Sequence, residues 1–150
     1  MQHIIRTSDY TQFFIYHTHE PDIQLKIDLV NDTTPHFGDF EYNPILGKID
    51  SWRNMLSNKI TALYRYEPKD IVDIWGLSKK FNFNWPEIIA EAAQKESPID
   101  PIIVTDILSS FPEESLETIK WINPSIKTAV KRDLDKIINN IITGTDNIPI

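Results

Sequence analysis

Apolar and polar residues alternate in the first part of the chain, and the pattern becomes helical further on. Residues 10–18 are rich in aromatic and β-branched side chains, which favour a strand. From Ile23 to Val30 the residues alternate with a period of two, as in a second strand. The turn-forming residues Glu20, Pro21 and Asp22 lie between the two segments. The pattern therefore predicts an antiparallel pair of strands.

From Ser51 onward, apolar residues recur every three or four positions, as on one face of an α-helix. Ser51, Asn84 and Asp100 are of the residue types that cap helix N-termini, and Pro68 suits a first helical turn. We expect a loop over 31–43, a short strand over 45–49, and helices over 51–64, from 68, from 84, over 101–110, over 115–122 and over 124–143, the last ended by Gly144.

This order of elements predicts an α+β fold. A small antiparallel sheet within residues 1–50 is followed by a mostly helical bundle over 51–150, and the length of 150 residues suits a single domain. The net charge of −7 makes general nucleic-acid binding unfavourable unless the cations cluster on one face. The chain has no Cys, which excludes disulfides, Cys-ligated zinc and thiol catalysis. Neither a membrane-spanning run nor a signal peptide is evident, so we expect a cytoplasmic protein without membrane contact.

Asp28 and Lys26 are the first candidate functional residues. They share one face of the predicted second strand, whose other face carries Ile23, Leu25, Ile27 and Leu29. A carboxylate on a rigid strand can be directed at a metal or a nucleophile. The same position also suits the solvated face of a sheet, which is the more common arrangement.

Lys59, Asp70 and Asp73 are the next candidates, on two consecutive predicted helices. Lys59 falls within an apolar stripe, so its ammonium must reach solvent, pair with a carboxylate or face a ligand. Asp70 and Asp73 are three residues apart and share a helix face. An acidic residue in a first helical turn, such as Asp70, also stabilises the helix dipole, which is the simpler interpretation.

The histidines offer a weaker hypothesis. His17, His19 and His36, with Asp32, could form a metal site, but no recognised ligand spacing supports it. Solvated histidines at a strand end are the alternative interpretation.

Four segments in this order resemble the AbiEii-type nucleotidyltransferase toxin family, a branch of the polymerase-β-like nucleotidyltransferase superfamily. They are Leu-Lys-Ile-Asp-Leu-Val-Asn-Asp over 25–32, Gly-Lys-Ile-Asp-Ser over 47–51, Leu-Ser-Asn-Lys-Ile-Thr-Ala-Leu over 56–63 and Lys-Asp-Ile-Val-Asp-Ile over 69–74. The resemblance covers roughly residues 25–77, and more loosely the helical remainder.

The resemblance implies nucleotidyl transfer from a nucleoside triphosphate to an acceptor such as RNA, and a toxin that acts beside an antitoxin. It implies that Asp28 is a catalytic carboxylate that binds Mg²⁺, and that Lys26 and Lys59 bind the nucleotide. Asp70 and Asp73 would match the closing acidic motif of the catalytic centre. Carboxylate-bound metals and a phosphate-facing lysine are the groups that this chemistry requires.

The family also has a Gly-Ser-type turn and a paired D-x-D motif before the strand that would hold Asp28. The 27 residues that precede Asp28 contain neither. The chain is thus expected to match the C-terminal part of such an enzyme and to be incomplete alone, with a complementing N-terminal chain as a possible partner. The alternatives are a non-catalytic protein-interaction module on the same scaffold and the binding of a nucleotide without turnover. Either way, an incomplete sheet would expose an edge or an apolar surface and favour self-association or a covering partner.

Overall fold

The structure is a computed structural model that describes residues 4–20, 22–96 and 98–149, without the side chain of Ile4. It has the α+β architecture that the sequence predicts, with a small antiparallel sheet at the N-terminus followed by helices. The described residues form two compact units, unit 1 up to Thr34 and unit 2 from Pro35 onward. That the chain is a single domain stays a prediction.

Unit 1 is an antiparallel sheet of three strands. They are β1 (Ile4–Arg6), β2 (Tyr10–Tyr16) and β3 (Gln24–Val30), with β2 in the centre. The sequence predicted β2 and β3, although β2 ends before Thr18; β1 was missed because so short a segment has no recognisable period. In the predicted turn, the backbone N–H of Ile23 donates to the carbonyl of Glu20, while Pro21 lies outside the described residues.

One face of the sheet in unit 1 is apolar and largely exposed. The register places Phe13 opposite Ile27 and Ile15 opposite Leu25, so these side chains share a face. Leu25 and Leu29 are 57% and 56% exposed, which is unusual for leucines on a regular strand. This is an exposed apolar surface of the kind that the resemblance leads us to expect.

Unit 2 is mainly helical. Its helices are α1 (Trp52–Thr61), α2 (Pro68–Lys80), α3 (Trp85–Lys95), α4 (Pro101–Ser110) and α5 (Ser125–Thr143), with 3-10 turns at Ala62–Arg65 and Glu113–Thr118. Two pairs of short strands accompany them. The strands β4 (Glu41–Asn43) and β5 (Gly47–Ile49) form a hairpin, whereas β6 (Phe83–Asn84) pairs with β7 (Asp146–Asn147) from a distant part of the chain.

Several local predictions are confirmed and others need correction. The loop predicted over 31–43 ends in the strand β4, and the strand predicted over 45–49 is only Gly47–Ile49. Ser51, Asn84 and Asp100 each accept a hydrogen bond from a backbone N–H in the first turn of α1, α3 and α4. The helix predicted over 51–64 tightens into a 3-10 turn after Thr61, because the left-handed Tyr66 and the extended Glu67 must lead into Pro68. The helix predicted over 115–122 is instead the 3-10 turn Glu113–Thr118, and the residues after it run as irregular chain.

The hydrophobic core of unit 2 is built from all five helices. Fully buried side chains include Leu56 of α1, Ile74 of α2, Trp85 of α3, Leu108 of α4 and Val130 of α5. The C-terminal strand β7 is held to this core by the amide of Asn147, which donates to the carbonyls of Ser78 and Phe81 at 2.7 and 2.8 Å. Among the described helices, none combines the length and apolarity that crossing a membrane requires.

Candidate functional site

Asp28 and Lys26 lie on β3 in unit 1, within an exposed polar network. Tyr10 and Gln12 of β2 each donate to Asp28 Oδ1 at 2.8 Å, and the ammonium of Lys26 lies 3.1 Å from Asp28 Oδ2. The hydrogen bonds from Gln12 and then Tyr10 lower the pKa of Asp28, so its carboxylate is ionised at neutral pH. These contacts are those of a solvated sheet face.

The surroundings of Asp28 do not fit the Mg²⁺ that the resemblance implies. Its two oxygens are occupied by a phenol, an amide and an ammonium, and the ammonium would repel a divalent cation. Across the part of the chain that the structure describes, no three His, Asp or Glu side chains converge as metal ligands. The histidine hypothesis fares no better, because His36 pairs with Asp50 at 2.6 Å.

Lys59, Asp70 and Asp73 meet in unit 2, where Lys59 pairs with carboxylates, one of the alternatives that its position in the sequence left open. The Lys59 ammonium of α1 lies 2.9 Å from Asp70 and 2.7 Å from Asp73, both on α2. The side chain of Asp70 is only 4% exposed and also accepts a bond from Arg65 at 2.8 Å. Asp70 is therefore the buried centre of an ionic cluster that joins α1 to α2, which is a stabilising role.

The electrostatics of Lys59 follow from this cluster. Burial is the largest single influence and lowers the pKa of Lys59, but the hydrogen bonds and charges of Asp73 and Asp70 together outweigh it and raise that pKa. Lys59 is thus a paired cation. Lys26 and Asp28 belong to unit 1, and Lys59, Asp70 and Asp73 belong to unit 2. Within each unit the predicted site residues contact one another.

An open apolar groove of about 590 Å³ lies beside the ionic cluster in unit 2. It runs between α1, α2, the segment after the second 3-10 turn and the start of α5. Its apolar lining consists of Met55, Val72, Trp75, Leu77, Ile119, Trp121, Ile122 and Ile126. Two tryptophans and a methionine around one concavity are typical of a binding surface.

The polar atoms of the two groove tryptophans are already satisfied. The indole N–H of Trp75 donates to Asp133 at 3.0 Å, and that of Trp121 donates to the carbonyl of Leu116 at 2.9 Å. Arg132, which hydrogen-bonds Asp133, contributes most to lowering the pKa of that buried carboxyl. Trp75 and Trp121 are thereby held in place and can offer apolar surface to a ligand without an unmet hydrogen bond.

Gly76 of α2 also lines the groove. A Cβ built at this position would have no atom within 4 Å, so the space beside its backbone is open. A glycine in mid-helix costs about 1 kcal/mol relative to alanine and provides no packing in return. The sequence interpretation passed over Gly76, although a mid-helix glycine is a signal that could have been used.

A second, polar cavity of about 500 Å³ borders the ionic cluster. Lys59 and Arg65 supply its two cations, and the remaining lining residues are Asn58, Thr61, Ala62, Tyr64 and Glu96. Both cations contact Asp70, so part of their charge is already balanced.

Comparison of the chain with protein-family models, with curated proteins and with solved structures finds no match. The resemblance to the nucleotidyltransferase toxins therefore rests on its sequence motifs and stays a prediction.

Proposed function

We propose that the chain is a protein-interaction module whose groove in unit 2 binds an apolar segment of a partner protein. The observation that carries this proposal is the open concavity lined by Trp75, Trp121 and Met55. Ile122, which also lines this concavity, is fully exposed, and that is costly for a large apolar side chain unless something covers it. Grooves of this composition accept the apolar face of an amphipathic helix.

The charges around the groove define the chemistry of the partner. Lys59 and Asp73 neutralise each other at one side, whereas Lys120 is exposed and has no ion pair within the described ranges. The groove thus presents one uncompensated positive charge on a chain whose net charge is −7. We infer that the partner segment carries leucine-like side chains and a carboxylate that meets Lys120.

A large side chain at position 76 is expected to fill the groove and prevent peptide binding while the fold is kept. In Gly76→Leu the new side chain would occupy the open space beside α2, and loss of the glycine favours the helix. The probe is a synthetic amphipathic helical peptide without tryptophan, with leucines at i, i+3, i+4 and i+7 and a glutamate beside them. Its binding is followed by the intrinsic tryptophan fluorescence of the chain, to which Trp75 and Trp121 of the groove contribute. We expect Gly76→Leu to weaken peptide binding by roughly tenfold or more.

Gly76→Ala is the matched control for this experiment. Its methyl group leaves most of the groove open, so peptide binding should persist while the free energy of unfolding rises by about 0.5–1 kcal/mol. Lys120→Gln should weaken the peptide by no more than about fivefold, as for an exposed ion pair. Peptide binding that is absent in the wild-type chain, or unchanged in Gly76→Leu, contradicts the proposal.

We propose nucleotidyl transfer from a nucleoside triphosphate, with RNA as one possible acceptor, as the second candidate function. It is supported by the motif resemblance and by the polar cavity that Lys59 and Arg65 share. A complementing chain would then supply the paired carboxylates, and an antitoxin would be a further partner. The cations of the cavity would meet the phosphates, since lysine and arginine are the usual phosphate ligands of proteins.

Lys59→Ala tests this second candidate. If the cavity binds a triphosphate, the substitution should weaken binding by roughly tenfold or more in calorimetry with and without magnesium, because one of two cations is lost. Lys69→Ala is the control, since Lys69 is an exposed lysine of α2 that does not line the cavity. A wild-type chain that gives no binding heat with triphosphate, or a Lys59→Ala variant that binds equally well, refutes this candidate.

A further inference from the structure

Strand β3 forms an open edge of the sheet in unit 1. It pairs with β2 on one side, and within the described residues no strand pairs with its other side. Every residue of Gln24–Val30 except Ile27 is exposed. An exposed edge of this length is a template for another strand unless the protein protects it.

The hydrogen bonds beside β3 show which backbone groups point away from the sheet. The backbone N–H of Asn31 donates to the backbone carbonyl of Asp9, and the backbone carbonyl of Ile23 accepts from the N–H of His17. The N–H and C=O groups of the odd-numbered residues of this segment therefore point towards β2. Backbone direction alternates along a strand. The N–H and C=O groups of the even-numbered residues therefore point outward, and these residues are Gln24, Lys26, Asp28 and Val30.

We propose that a second copy of this chain pairs with β3 along this edge, antiparallel and related by a twofold axis at Ile27. In this register Lys26 lies opposite Asp28 of the partner subunit, and Gln24 lies opposite Val30 of the partner subunit. All of these are outward-facing residues, so each pair exchanges two backbone hydrogen bonds. The product is one continuous sheet with three strands from each copy, and the interface is the same patch on both.

Charge selects this register over its neighbours. The next register that still pairs outward-facing residues differs by two residues. A shift of two residues in one direction places Lys26 opposite Lys26 of the partner subunit. The equal shift in the other direction places Asp28 opposite Asp28 of the partner subunit. Like charges directly opposite each other destabilise a strand pair, whereas opposite charges stabilise it. The short sequence Lys-Ile-Asp at the centre of β3 is thus complementary to itself when reversed.

The apolar residues of β3 agree with the same register. Leu25 lies opposite Leu29 of the partner subunit, and Ile27 lies opposite its own copy across the axis. Because these are the positions between hydrogen-bonded pairs, their side chains approach most closely. Leu25 and Leu29 are both more than half exposed in the single chain, so pairing removes apolar surface from water.

Charge reversal tests the proposal in the full chain. We expect the wild-type chain to sediment as a concentration-dependent dimer. Lys26→Glu and Asp28→Lys should each raise the dimer dissociation constant by at least about tenfold, because each creates two like-charge pairs across the axis. Both sites are exposed, and far-UV circular dichroism confirms that each variant is folded. Lys69→Glu is the control: it makes the same charge change as Lys26→Glu at an exposed site on α2 and should leave the dimer intact.

Mixing the two reversed variants provides the decisive result. In the heterodimer, the Glu that replaces Lys26 in one copy faces the Lys that replaces Asp28 in the other copy. The unchanged Asp28 of the first copy faces the unchanged Lys26 of the second, so both charged pairs again have opposite charges. We therefore expect the equimolar mixture to dimerise at concentrations where each variant alone is largely monomeric. A wild-type chain that stays monomeric at all concentrations, or a dimer that neither reversal weakens, overturns the proposal. So does a mixture that fails to restore the dimer.

Discussion

Replacing Asp70 by alanine is expected to lower the free energy of unfolding by about 3 kcal/mol, because it removes the buried centre of an ionic cluster. Asp70 is nearly inaccessible and contacts both Lys59 and Arg65. In this variant Lys59 would still pair with Asp73, and the exposed guanidinium of Arg65 would be hydrated. The loss of stability is therefore expected at the lower end of the range for a broken buried ion pair. Urea unfolding followed by circular dichroism measures the change.

The pH dependence of this cluster provides a second measurement. The pKa of Lys59 is higher in the folded chain than its ordinary value of 10.5. Its contribution to stability is therefore fully present below that ordinary value and is lost as the pH rises through the folded pKa. We expect the wild-type chain to lose stability at this alkaline limit and Asp70→Ala to lose less. Asp73→Ala, at a carboxylate that is 49% exposed, should cost at most about 1 kcal/mol; an equal cost for both variants would contradict the central role of Asp70.

Replacing Trp85 by alanine is expected to lower the free energy of unfolding by about 4 kcal/mol. Trp85 is the first residue of α3 and is 0% exposed, so its loss leaves a cavity in the core of unit 2. Its ring also packs edge-to-face on Phe83, with centroids 4.8 Å apart, and this contact would be lost with it. Urea unfolding of the purified variant checks the prediction.

Trp85→Phe distinguishes the loss of volume from the loss of a polar group. The indole N–H of Trp85 is buried and finds no acceptor among the described residues. A buried donor without a partner costs about 1–3 kcal/mol, so phenylalanine removes this penalty while it keeps an aromatic ring. We expect Trp85→Phe to cost about 1 kcal/mol or less. Equal destabilisation by Trp85→Phe and Trp85→Ala would contradict the interpretation that the indole N–H of Trp85 has no hydrogen-bond acceptor.

Much of the fold was predictable because its signals are local. Ser51, Asn84 and Asp100 cap helices through bonds to backbone N–H groups only three residues away. Gly144 ends α5 in the left-handed conformation that glycine adopts most readily. The alternation in β3 likewise predicts which residues share a face, and the register with β2 confirms it.

The short strands could not be predicted from local signals. Strands β6 and β7 have two residues each and pair across more than sixty positions of sequence, through contacts such as that of Asn84 with Asp146. Strand β4 belongs to a segment that is rich in turn residues, so its pairing with β5 is not visible in its composition. Such elements form because their neighbours place two short segments side by side.

The sequence by itself determined the α+β order, the helix starts and the polar face of β3, since periodicity and capping depend on residues close together in the chain. Only the tertiary structure decided which chemistry these elements bring together. Lys59 could equally have faced solvent or a ligand, and the packing of α1 against α2 gave it two carboxylates. The groove of Trp75 and Trp121 likewise exists only because residues 46 positions apart meet across the helical unit. Contacts between distant residues depend on how whole elements pack, and no local pattern encodes that packing.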